Sequence, residues 1–241
     1  MKQTKELFIE ALNKEKDPKK AKFFPRFFKT GPGEYGEGDQ FLGVTVPKQR
    51  MIAKKFAQSL SLEDLQSLIS SPFHEVRLAT LFVLILKFQF KKATEEDQMA
   101  IVQFYLKNTK YINNWDLVDA SADKILGEYF FQKDKTTILK LKNSKDLWEN
   151  RIIILSTFYW IRKGHFTETI SLCEFFLNHP HDLIHKATGW MLREIGKRDL
   201  NILIQFLNAY VTKMPRTMLR YAIEKLPPSE RRKWLDLKKE I

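Results

Sequence analysis

Apolar residues recur every three to four positions across residues 73–90, 147–162 and 183–197, and they rarely alternate one by one anywhere in the chain. That period buries one face of a helix, whereas a half-buried strand needs a period of two. Prolines fall between the striped stretches, at Pro18, Pro25, Pro47, Pro72, Pro180, Pro215 and the Pro227-Pro228 pair. Each removes a backbone donor and punctuates a helix. The chain is expected to be all-α, with helices of roughly ten to eighteen residues.

A length of 241 residues suits one large domain or two small ones. We expect a single domain over 1–241. Hydrophobic residues at 44% supply a core, so disorder is excluded. Forty-one Lys and Arg against 29 Asp and Glu leave a net charge of +12, which favours a polyanionic partner, either nucleic acid or an anionic membrane. Lys or Arg interrupts every apolar run well before the roughly 20 residues of a span, so no membrane partner is expected. The opening Met-Lys-Gln-Thr-Lys-Glu leads into a charged amphipathic segment without a signal core. Cys173 is the single cysteine, which rules out an intramolecular disulfide and reads as a small core hydrophobe. A soluble, cytoplasmic protein is the expectation.

Three helices share a pattern in which a basic residue precedes an apolar stripe: Pro72-Phe-His-Glu-Val-Arg77, Leu147-Trp-Glu-Asn-Arg151 and Leu183-Ile-His-Lys186. Arg77 to Arg151 is 74 residues and Arg151 to Lys186 is 35. These gaps are two periods and one period of a helical pair, slightly under the roughly 40 residues of a HEAT repeat. One period beyond Arg77 reaches Asn114. Equivalent turns of successive repeats line one face of a curved solenoid, which would align Arg77, the Trp115 region, Arg151 and Lys186. Basic residues that merely solvate first turns would give the same pattern.

Five of the nine glycines lie between Gly31 and Gly43, and Gly31, Gly33 and Gly36 formally satisfy G-x-G-x-x-G. No strand precedes them, Glu34 and Glu37 would repel phosphate, and no βαβ pattern follows. A structured surface loop, meeting DNA or capping the repeats, is the better reading.

Within Asn113-Asn114-Trp115-Asp116-Leu-Val-Asp119, Trp115 and Asp119 stand four apart and so share a helix face. An asparagine cap with Asp116 at the positive helix end explains much of the stretch without function. Asp119, one turn in, is left facing either solvent or a cleft. His179, His181 and His185 include a helical i, i+4 pair, but no HExxH glutamate lies between them, so a helix-start turn around Pro180 is preferred to a metal site. Gly189 inside a helix implies close approach of a neighbour or a ligand, and Trp190 beside it suits either a cleft wall or the core. The basic run from Arg231, Arg232 and Lys233 to Lys238 and Lys239 reads as a solvated helix face adding general attraction for DNA.

With these motifs in order, the sequence resembles the AlkD-type family of DNA alkylation repair proteins, glycosylases built from HEAT-like helical repeats. The resemblance runs over most of the chain. It is carried by Phe41-Leu-Gly-Val with Pro47-x-x-Arg50, by Asn114-Trp115-Asp116-Leu-Val-Asp119, by Trp148-Glu-Asn-Arg151 and by Ala187-Thr-Gly-Trp190-Met-Leu-Arg193-Glu194. It implies a catalytic Asp119 with Trp115 and Trp190, and Arg151 on a phosphate; apart from the resemblance, Arg77 and Lys186 on the repeat register, and Arg193 near Trp190, are expected as further DNA contacts. It also implies a cationic N3- or N7-alkylated purine as the lesion, in a geometry where the base is not drawn into a pocket, unlike glycosylases that flip it. Two features depart from the best-known branch: a longer glycine-rich loop, and Phe27 where that branch carries a tyrosine.

The expected function is hydrolysis of the N-glycosidic bond of alkylated purines in double-stranded DNA, with no metal, organic cofactor or obligate protein partner. The alternatives are a non-catalytic protein that binds damaged or branched DNA, and a HEAT scaffold for an acidic protein.

Overall fold

The computed structural model describes residues 3–238 and is all-α, with one isolated bridge, Gln40 to Phe73, as its β pairing among those residues. Met1, Lys2 and Lys239, which belong to the charged ends discussed above, lie outside the described residues. Packing divides the chain into two compact units, Met1–Ser121 and Ala122–Ile241, where the sequence suggested no boundary.

The first unit holds α1 (Thr4–Lys14), α2 (Pro18–Phe28), α3 (Val46–Phe56), α4 (Leu62–Ile69), α5 (His74–Phe88), α6 (Glu95–Lys107) and most of α7 (Trp115–Ala122). After a π turn at Asp123–Gly127 come α8 (Glu128–Phe130), α9 (Thr136–Leu139), α10 (Leu147–Arg162), α11 (Thr167–Phe175), α12 (Asp182–Gly196), α13 (Leu200–Tyr210), α14 (Arg216–Ala222) and α15 (Pro228–Leu237). Their starts follow local chemistry. Ser61 with Asp64 and Thr94 with Asp97 form reciprocal capping boxes, and Asp17 caps α2 ahead of Pro18 at its first position. Pro25 is an exception to the boundary pattern, because α2 carries it and ends three residues later at Phe28, followed by the left-handed cap Lys29 with φ +56°. With so little helix left, the single backbone bond a proline forgoes is tolerated.

In each unit alternate helices pack side by side. α1, α3 and α5 form one series, and α10, α12 and α14 form the other. This is how helical repeats bury faces that no repeat can bury alone. α5 is buried on every side from His74 to Ile85, as its continuous apolar run requires. Among the described residues no helix is long and apolar enough to cross a membrane.

Gly189 now has its explanation. A Cβ there would lie 2.4 Å from Met218 O and 2.6 Å from Tyr221 Cβ, so the close neighbour is α14 and not a ligand. Gly189→Ala is expected to destabilise the fold by about 1–3 kcal/mol through overpacking. The gain in helix propensity, about 1 kcal/mol, is smaller. An unchanged or higher urea midpoint would contradict this.

Candidate active site

Burial splits α7 into two faces. Leu117, Val118, Ser121 and Ala122 are buried, while Trp115, Asp116, Asp119 and Ala120 are partly exposed. Asp119 therefore stands on the outward side with Trp115, one turn away. Asn114 sets the start of this helix: fully buried, it accepts from Trp115 N at 2.9 Å and donates to Phe28 O at 3.3 Å. The end of α2 is thereby tied to the start of α7. The Trp115 ring then stacks on Phe28, with centroids 5.7 Å apart, and meets Phe27 edge-on at 5.4 Å. Two aromatic neighbours hold the indole in one orientation.

Behind this aromatic layer lies a buried charge network. His74, 1% exposed, donates from Nδ1 to Asp39 Oδ2 at 3.0 Å and from Nε2 to Asp116 Oδ2 at 2.8 Å. Arg77 donates from Nη2 to Asp39 Oδ1 at 2.7 Å and Asn113 Oδ1 at 3.0 Å, and from Nη1 to Ser71 O at 2.9 Å. The His74 ring also lies 4.5 Å from Phe28 and 5.3 Å from Phe41, centroid to centroid. Charge pairs and the rings that hold Trp115 are thus one assembly.

Two expectations are corrected here. Arg77 is 3% exposed with its fork committed to Asp39, Asn113 and Ser71, so it braces the site and does not reach DNA. Asp116 is more than a favourable charge at a helix start, because it holds the buried His74 ring. The glycine-rich loop also acquires a task, which is to deliver Asp39 and Phe41. Gln40 N donates to Pro72 O and His74 N to Gln40 O, which seats the loop against the start of α5. Next in the chain, the Glu75 carboxyl accepts from the N–H groups of Leu42, Gly43 and Val44 at 2.9, 2.7 and 3.2 Å. Gly43 has φ +81°, and a Cβ on it would fall 2.1 Å from Asp17 O. The Phe41-Leu-Gly-Val motif is therefore a buried backbone clamp.

Burial by itself would push the His74 pKa down, but the charge and hydrogen bond of Asp116, helped by Asp39, raise it from 6.5 to about 9. Folded protein then holds this proton more tightly than unfolded chain. The stabilisation is complete below pH 6.5 and is lost as pH rises through about 9. Asp39 adds an acid limb: burial would raise its pKa, but His74 and Arg77 lower it overall, so its contribution is lost as pH falls below the usual carboxylate range. Stability is expected to drop by a few kcal/mol between pH 6.5 and 9. Urea midpoints that stay level across that window would rule this out.

In the second unit Arg151 and Lys186 occupy matching early positions on neighbouring helices, α10 and α12. Arg151 is 5% exposed and its Nη1 donates to Leu183 O at 2.7 Å, which sets the plane of its guanidinium. Lys186 pairs with Asp182 at 2.8 Å on the surface. Trp190 is half-buried, its ring 5.6 Å from that of Phe158. Arg193 pairs with Glu224.

The family model described as DNA alkylation repair enzyme matches residues 8–226. The chain belongs to that family. A solved structure described as a predicted DNA alkylation repair enzyme from Enterococcus faecalis superposes with a TM-score of 0.66, covering 89% of this chain and 98% of its own. At 16% identity that likeness speaks for the fold alone. A comparison with curated proteins finds no match.

In this family member the histidines of the second unit have local tasks. His179 Nε2 lies 3.1 Å from Asn150 Oδ1, His181 Nδ1 accepts from Leu183 N to cap α12, and His185 Nε2 lies 2.5 Å from His179 O. Burial first, then mutual charge, lowers the pKa of His179; burial also lowers that of His181. Among the described residues no group of three His, Cys, Asp or Glu could hold a metal. Cys173 is fully buried, and burial pushes its thiol pKa up. Sequence reasoning missed Asp39 and His74 as parts of the site. The signal was present in Pro72-Phe-His74-Glu-Val-Arg77, a helix start with three ionisable groups ahead of an apolar run.

Proposed function

We propose that this family member hydrolyses the N-glycosidic bond of N3- and N7-alkylated purines in duplex DNA. The observation that carries the reading is the outward pairing of Asp119 with a clamped Trp115 on α7, in a chain of net charge +12. An N-alkylated purine already bears positive charge and leaves with the electrons of its bond to C1′. The sugar becomes oxocarbenium-like, and a fixed carboxylate stabilises that charge. Water then adds at C1′ and gives up a proton, with Asp119 orienting the attack.

Trp115, one turn from Asp119, offers its π-face to the sugar as positive charge develops, and Trp190 of the second unit offers its own face to the DNA backbone. Arg151, held by its bond to Leu183 O, adds a fixed positive charge to the second unit, which attracts phosphate through space. Lys186 exchanges Asp182 for another phosphate, which is feasible because exposed pairs are worth little. Arg193 contributes charge nearby in the chain, shared with Glu224. These contacts position the duplex and read no sequence.

The test is release of methylated purine from methylated duplex DNA by the purified protein. Release above background supports excision. Salt-sensitive DNA binding without release would leave a binding protein instead.

A further inference from the structure

The first unit contains a cavity of about 190 Å³ lined by Phe24, Phe27, Phe28, Gln49, His74 and Asp116, among others. One water occupies roughly 30 Å³. Pockets for drug-sized ligands start at roughly 300 Å³, so this space suits one small ring system. Phe27 and Val46, 53% and 41% exposed, form part of its lining and give it access to solvent.

Its polar lining is one-sided. Gln49 is 2% exposed; its Nε2 donates to Val44 O at 2.7 Å, and its Oε1 is buried without a partner among the described residues. Asp116 gives Oδ2 to His74, while Oδ1 is likewise buried and unpartnered. Buried acceptors without donors are costly, so both call for an N–H or O–H. Both His74 nitrogens and both Glu75 oxygens are already engaged, leaving them out of the recognition. The carboxylates of Asp39, Glu75 and Asp116 outnumber the cations His74 and Arg77 by one, so the site does not attract an anion. What remains is aromatic surface, the Thr45 hydroxyl and two buried acceptors without partners among the described residues.

We propose that this cavity binds a free alkylated purine base, stacking its ring on the phenylalanines and receiving its N–H groups at Gln49 Oε1 and Asp116 Oδ1. Anionic ligands are disfavoured because the two unpartnered buried atoms, Gln49 Oε1 and Asp116 Oδ1, only accept, and the buried carboxylates repel negative charge. The identity of the ring rests on the excision reading, whereas the preference for a flat hydrogen-bond donor does not. The occupant is the released product, held beside the residues that fix Trp115, so it would inhibit further turnover.

The experiment is isothermal titration of the full chain with 3-methyladenine, and with quinoline as a two-ring probe lacking N–H donors. Saturable one-to-one binding is expected, at least tenfold tighter for 3-methyladenine. Gln49→Met, which removes the acceptor at similar volume, is expected to weaken it about tenfold. Val46→Trp, at an exposed position of the lining, obstructs entry without touching the buried groups and should abolish binding; circular dichroism checks the fold of both variants. No saturable heat with wild type, or unchanged affinity in both folded variants, overturns the site and leaves the cavity to water. A parallel release assay separates the readings. Release without product binding sinks only this proposal, and binding of 3-methyladenine without release sinks only the excision reading.

Discussion

Asp119→Asn is expected to slow base release by about 10²–10³-fold while leaving affinity for duplex DNA at or slightly above the wild-type level. The substitution keeps the shape and removes the charge. Oxocarbenium character at the sugar appears only in the transition state, so a lost charge there acts on the rate and hardly on binding. The magnitude follows measured losses when one preorganised electrostatic group is removed, about 2.7–4 kcal/mol. Affinity does not fall, because a carboxylate repels phosphate and its neutral replacement does not. Single-turnover release on methylated duplex, with a gel shift on the same samples, reads both effects. A variant that releases base as fast as wild type would remove Asp119 from the chemistry.

The second large effect is expected at Asp39, far from Asp119 in the chain. Asp39→Ala leaves Arg77 without its carboxylate and His74 with one of its two, and all of these groups are buried. Removing one partner of a buried ion pair costs about 3–5 kcal/mol, because the surviving charge is neither solvated nor paired. A transition midpoint lower by on the order of 10 °C follows for a chain of this size. The loss extends to the site. His74 packs on Phe28, and Phe28 packs on Trp115, so a loosened His74 frees the indole. Base release should therefore fall severalfold even at temperatures where the variant remains folded. A melting curve superimposable on wild type would show that the network is dispensable. Normal release from a destabilised variant would show that it does not reach Trp115.

Local rules foretold much of the architecture. The apolar stripe over 73–90 became α5, that over 147–162 became α10 and that over 183–197 became α12, because a helical period is written in neighbouring residues. Ser61-x-x-Asp64 and Thr94-x-x-Asp97 start helices for an equally local reason. The shared face of Trp115 and Asp119 follows from their spacing alone. Arg77 shows where this reasoning stops. It holds the same place before its stripe as Arg151 does, yet its fork is consumed by Asp39, a residue 38 positions earlier in a glycine-rich loop. No periodicity encodes that meeting.

By itself the sequence determined the helical class, its three striped helices and the pairing of an acid with a tryptophan on one face of α7. Those properties depend on residues within one or two turns of each other. Tertiary structure alone decided that Asp116 holds a buried histidine, that Arg77 serves the interior, and that Gly189 yields to the backbone of α14. It also decided that Phe27 and Phe28 fix the indole beside Asp119. Each of these is set by which distant segments meet, and a buried charge takes its partner from whatever segment the fold brings within hydrogen-bonding distance.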